Sequence, residues 1–222
     1  MKLFLLVLMS FLSIQIQAQT NINLKLKNQI DSIGFVDQKY REMLDNIDNS
    51  AFSDSISKIY KVKSEEVETA IWDMTQKVDS SNLVFIEGVI TKFGYPGKTL
   101  VGDSSCEVAW LVIQHSNIKT MSKYLDLLKN AAIRNELPSF CAAMTEDRYL
   151  MCMRKEQIYG TQATVRNLKN GMKENIIWPI YDPINVNKRR KEAGFTTTVE
   201  ESAKALNIKY RVVQLNEIDW TH

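Results

Sequence analysis

The chain has 222 residues, a formal net charge of +2 and only three cysteines. That charge balance excludes the broad basic surface that nucleic acid or an anionic membrane attracts, so any partner must be chosen locally. Three thiols are few for an exported chain, and an odd number cannot all pair internally, so a disulfide scaffold is not expected and three free, buried thiols are.

Residues 1–18, MKLFLLVLMSFLSIQIQA, open with charged Lys2, run apolar from Leu3 to Ile14 and end at small Ala18. This is the pattern of an export signal, too short to span a bilayer, with cleavage expected after Ala18. The mature chain, residues 19–222, is long enough for one well-filled core and is read as a single domain working in the periplasm or secreted. Gln19, not cysteine, would begin it, and no later run reaches roughly 18 apolar residues, so neither a lipid anchor nor a transmembrane anchor is expected.

From Leu26 the positions Leu26, Ile30, Ile33, Tyr40 and Leu44 follow helical spacing. Residues 46–57 are polar and serine-rich and read as a loop. Ser64 followed by Glu65 and Glu66 starts a helix ending near Asp79; Asn82 caps another through Phe93, stopped by Gly94 with Pro96 beyond. Asp103 to Ser105 can cap an apolar helix through Gln114, and Lys119 to Asn135 carries a further helical face. Pro138 and Ser139 open a helix to about Lys155. The character then changes: Thr161 to Asn167 and Asn175 to Ile180 are β-leaning runs flanking Asn170 and Gly171, which predicts a hairpin. Asp182 and Pro183 start a helix that Gly194 ends, Thr198 to Leu206 gives one more, and the Lys209 to Trp220 tail adds a strand or covers the core. The fold class is therefore mainly α (α+β), a bundle-like helical core with a small hairpin in the C-terminal third.

Several polar residues interrupt apolar stripes. Asp37 stands on the same helical face as Ile30, Ile33, Tyr40 and Leu44, where an unpaired carboxylate costs several kcal/mol. It is either an internal pair with Arg41, one turn on, or a carboxylate facing a ligand cavity. His115 ends the AWLVIQH helix on a mainly polar strip with Gln114; it is either a satisfied cap or a general acid or base. No second histidine sits at ligand spacing, so no metal site is expected. Asp147 repeats the pattern among Phe140, Met144 and Met151 with Arg148 beside it, as a structural ion pair or as an orienting acid with an anion-binding guanidinium. QIYGTQ gathers Gln157, Tyr159, Thr161 and Gln162 around Gly160, as a satisfied turn or a ligand loop. KRRK reads as a solvated helix face, except that Arg190 lies one turn from Val186 and can point inward to a carboxylate or phosphate. Phosphate-loop, GxSxG, HExxH, paired CxxC and GxGxxG motifs are absent, and no cofactor is expected.

Taken together, DQKYR from Asp37, GYP from Gly94, VG at Val101, WLVIQH ending at His115, DR at Asp147, QIYGTQ and DPINVNKRRKEAG resemble a bacterial family known as a domain of unknown function. The chain departs from that pattern at Tyr95, where tryptophan is more usual, and at Met144, where tyrosine is. The resemblance implies a mainly helical, often exported bacterial domain and carries no reaction with it.

Two functions of different class follow. In one, the polar segments converge on a pocket of a non-metal hydrolase or transferase acting on an anionic envelope metabolite or cell-wall fragment. His115 is then general base or acid, Asp37 or Asp147 orients it, and Arg148 and Arg190 hold the anion. Arg41, Gln114, Gln157, Tyr159, Gly160, Thr161 and Gln162 complete the ligand contacts. In the other, the same groups bind a small anionic ligand or a protein partner without turnover. An imidazole within about 4 Å of a carboxylate and open to a cleft favours the first.

Overall fold

The structure, a computed structural model, describes residues 22–221, so the export signal expected over residues 1–18 lies outside the described part. It is mainly helical, with nine helices among the described residues and one two-stranded hairpin.

Helix α1 (Leu24–Asp45) follows the predicted stripe, and Asn23 caps it by accepting the Leu26 N–H. Helix α2 (Ser50–Tyr60) stands where a loop was expected. Asn49 accepts the Phe52 N–H at its start, and Phe52 and Ile56, one turn apart, pack with Val67 and Ile71. The serine-rich composition hid this amphipathic period.

After a 3-10 turn at Ser64–Glu66, α3 (Val67–Phe93) runs unbroken where two helices were expected to meet. Just before the expected Asn82 cap, Ser80 and Ser81 donate to the Gln76 and Lys77 carbonyls at 2.9 and 3.1 Å, as residues inside a continuous helix do. Asn82 stays buried inside the helix, its Nδ2 unpaired.

A short α4 (Lys98–Val101) precedes α5 (Val108–Gln114), α6 (Ile118–Ile133) and α7 (Ser139–Cys152). Helix α5 starts later than Asp103–Ser105 implied, because those residues form a turn with Ser105 buried. Helix α7 stops short of Lys155: Arg154 takes φ 57° and the Lys155 N–H returns to the Leu150 carbonyl. Ile86, Trp110, Ile113, Leu128 and Leu137 from these segments make the main core, and Leu26 and Ile30 of α1 join Val108 in a second cluster.

Strands β1 (Ala163–Asn167) and β2 (Lys173–Ile177) pair antiparallel, with Ala163 opposite Ile177 and Asn167 opposite Lys173. Helices α8 (Val186–Glu192) and α9 (Val199–Ala205) follow. The tail covers the hairpin: Val213 and Ile218 are buried with Leu168, Ile176 and Trp178. All three cysteines are free, but only Cys106 and Cys141 are buried; Cys152, in the last turn of α7, is exposed, contrary to the three buried thiols expected. Burial pushes the Cys106 thiol up to about 11.

Candidate functional site

Asp37 is 1% exposed, and its oxygens meet residues from two helices. His115, the residue closing α5, places Nδ1 3.1 Å from Oδ2, and Gln38 donates to the same oxygen at 2.6 Å. Arg41 donates through Nη1 to the Asp37 carbonyl at 2.7 Å and reaches Asp79 of α3 through Nη2 at 2.8 and 2.9 Å. The Arg41–Asp37 carboxylate contact is 3.5 Å, so the i,i+4 pair exists but His115 Nδ1 is the nearer partner. Burial pushes the Asp37 carboxyl up, and the His115 hydrogen bond and charge, with Arg41 and Gln38, outweigh it and hold the group below its ordinary range.

The approach of α1 to α5 that permits this contact has a local cause. A Cβ on Gly34, one turn before Asp37, would stand 2.8 Å from Val108 Cγ2 at the start of α5. Only a residue without a side chain lets the two backbones come this close.

His115 opens onto a cleft of about 510 Å³, lined by Gln38, Arg41, Leu44 and Asp45 of α1, Trp72 and Asp79 of α3, and Arg148 of α7. Arg148 donates to two neutral oxygens, the Gln114 carbonyl at 3.1 Å and Gln162 Oε1 at 3.2 Å. It has no carboxylate partner among the described residues, and its Nη2 makes no hydrogen bond there. A half-buried guanidinium so placed keeps donor capacity that a carboxylate or phosphate can match. Gln114 itself is buried, its Oε1 accepting the Thr145 hydroxyl at 2.7 Å while Thr145 accepts from the Trp110 indole at 2.9 Å.

Asp147 is fully buried and faces the other way. It accepts the backbone N–H groups of Ile158, Tyr159 and Thr161 and the Thr161 hydroxyl, at 2.7 to 3.2 Å. Burial pushes its carboxyl up against the pull of those donors. It does not line the cleft; it binds the QIYGTQ turn to α7. Gln157 closes the same turn, donating to the Gln162 and Trp178 carbonyls at 3.0 and 2.7 Å and accepting the Gln162 N–H at 2.8 Å. At Gly160, φ 67°, a Cβ would lie 2.7 Å from Val199 and 2.8 Å from Ile180, so its bareness serves packing against α9.

Arg190 points inward, 2% exposed, and is spent on the Thr197 carbonyl, the Tyr159 carbonyl and the Thr197 and Ser202 hydroxyls. The Tyr159 ring stacks on Phe195 at 6.3 Å and lines a separate groove of about 370 Å³ with Lys129 and Glu146.

The structure thus brings His115, Asp37, Arg41, Gln114 and Arg148 together, with Gln162 behind Arg148. It places Asp147, Gln157, Gly160, Thr161 and Arg190 in an adjoining sealed network, and Tyr159 on another groove. Trp72, Leu44, Asp45 and Asp79 were not anticipated. Trp72 and Asp79 lie seven residues apart on one face of α3, within the stretch already read as a helix from Ser64, but neither interrupts an apolar stripe, so nothing in the sequence marked them. Among the described residues no three histidine, cysteine, aspartate or glutamate side chains gather to hold a metal, and no helix is long and apolar enough to cross a membrane.

Fold and site together define a mainly helical domain with an imidazole–carboxylate pair beside an unpaired guanidinium. The chain belongs to the family of unknown function DUF6624, whose model matches residues 67–213. No curated protein and no solved structure matches it. Helix α1, the source of Asp37, Gln38 and Arg41, precedes the matched stretch.

Proposed function

We propose that the mature protein is exported and that the cleft beside His115 is the site of a non-metal hydrolase or transferase acting on an anionic envelope metabolite or cell-wall fragment. The observation that carries this reading is the 3.1 Å contact between His115 Nδ1 and sealed Asp37, on the wall of a cleft that also holds Arg148.

A carboxylate only accepts hydrogen bonds, so in the neutral ring Nδ1 keeps the proton and Nε2 carries the free lone pair. Nε2 then takes a proton from the attacking group and returns it to the leaving group, while Asp37 stabilises the imidazolium formed between the two steps. Among the described residues no serine, threonine or cysteine lines the cleft, and of its two carboxylates Asp79 is paired with Arg41, so we take the attacking group to be water or the hydroxyl or amine of an acceptor substrate. Arg148 receives the anionic group, and Arg41 fixes α1 against α3. Gln114 and Gln162 position Arg148; Asp147, Gln157, Gly160, Thr161 and Arg190 hold the turn that carries Gln162.

A binding protein without turnover would use the same cleft, and the lack of a serine, threonine or cysteine among its described lining residues is the observation on its side. The two separate when mature protein and His115→Ala are incubated with a small-molecule extract of the cell envelope and the mixture is followed by mass spectrometry. Wild type is expected to deplete at least one anionic compound, and the folded variant to do so about 10²-fold or more slowly. Equal depletion by both overturns the role of His115; retention of a compound without depletion by either establishes the binding protein.

A further inference from the structure

The cleft is polar in a second sense. Arg41 pairs with Asp79, and His115 with Asp37. Two charges on its wall then remain without an opposite partner among the described residues: Arg148 and the exposed Asp45. Helices α1 and α3 run antiparallel, since Arg41 meets Asp79 while Leu44, further along α1, packs with Ile71 and Val67, earlier on α3. Asp45 and Leu44 therefore share a level with Trp72, and Asp37, His115 and Arg148 occupy the other end. Eight residues separate Asp37 from Asp45, about 12 Å along the helix axis.

Trp72 is 49% exposed for so large an apolar side chain. An exposed indole and an unpaired carboxylate on the wall of one cleft can together attract an ammonium group, by cation–π attraction and charge. The far end of the cleft is thus built for a cation, with the apolar surface of Leu44 and Trp72 leading to it.

We propose that the ligand is dipolar and peptide-sized: a free amino group held by Asp45 and Trp72, a carboxylate held by Arg148, and a backbone of about three residues between them. An extended chain advances about 3.3–3.6 Å per residue, so three residues span about 10 Å. The C-terminal end then lies beside His115. This deepens the anion-binding reading above and rests on it.

Calorimetric titration with trialanine, its N-acetyl form, its C-terminal amide and alanine tests the proposal on the mature protein. Trialanine binds at least tenfold more tightly than each of the other three. Asp45→Asn, at an exposed helix end, weakens trialanine about tenfold and leaves N-acetyl-trialanine unchanged. If trialanine and its N-acetyl form bind alike and both are lost in Arg148→Ala, the anion site stands and the dipolar ligand is overturned. Trialanine binding that ignores Asp45→Asn overturns it equally. If neither the peptides nor acetate bind, the anion reading falls as well.

Discussion

Asp37 shows how one side chain ties stability to the site. Its carboxyl is held below the ordinary value of 3.8, so its contribution is complete above that pH and drains away as pH falls through the lower, folded value. Urea unfolding of Asp37→Asn at neutral pH is expected to show a loss of about 2 kcal/mol, the worth of hydrogen bonds to a charged group. The same variant should show a flatter acid limb below pH 4 than wild type. A variant as stable and as acid-sensitive as wild type would contradict this.

Asp147 makes the complementary case. It stood out in the sequence for the same reason as Asp37, an acid on an apolar stripe, yet it serves backbone donors instead of an imidazole. The pattern reveals burial; it does not reveal which donors arrive from segments ten or more residues away. Asp147→Asn can keep Oδ1 on the Ile158 and Tyr159 N–H groups but sets an amide NH2 against the Thr161 N–H. Thermal or urea unfolding should register about 1–3 kcal/mol, the cost of one orphaned buried donor.

At the level of elements, the closeness of α1 to α5 depends on Gly34. Gly34→Leu places a side chain where Val108 Cγ2 already stands 2.8 Å from a bare Cβ position, and overpacking of this kind costs about 1–3 kcal/mol. The variant should also separate Asp37 from His115, so activity or ligand affinity falls further than stability alone accounts for; an intact site in a destabilised protein would contradict that link. Helices α1, α6 and α7 were legible because their apolar positions keep helical spacing over several turns, even where Asp37 and Asp147 stand in the stripe. Helix α2 was not, since four of its eleven residues are serines and its period rests on Phe52 and Ile56. The unbroken α3 was missed because Asn82 reads as a helix cap, and the Ser80 and Ser81 hydroxyls before it bond back along the helix in ways that composition does not announce. Trp72 and Asp79, two of the eight residues lining the cleft, stood in a stretch already read as helix and went unmarked because neither breaks an apolar stripe.

Across the whole molecule, the hairpin and tail form a second packing unit behind the turn that holds Arg148. Ile218 is fully buried against Trp178 and Leu168, and Ile218→Ala should cost about 2–5 kcal/mol in unfolding experiments. The export proposal has its own check: intact-mass analysis of the protein recovered from its host should begin at Gln19, and a chain still carrying Met1 would contradict it.

The pairing of His115 with Asp37 in an open cleft is the claim on which the rest depends, and the chain has only two histidines, His115 and His222. A long-range proton–nitrogen NMR spectrum of the labelled mature protein reports both rings directly. The predicted result is a His115 ring protonated at Nδ1 with a bare Nε2 whose shift moves on titration with acetate, and does not move in Arg148→Ala. A ring protonated at Nε2 alone, or one indifferent to acetate in wild type, would contradict it.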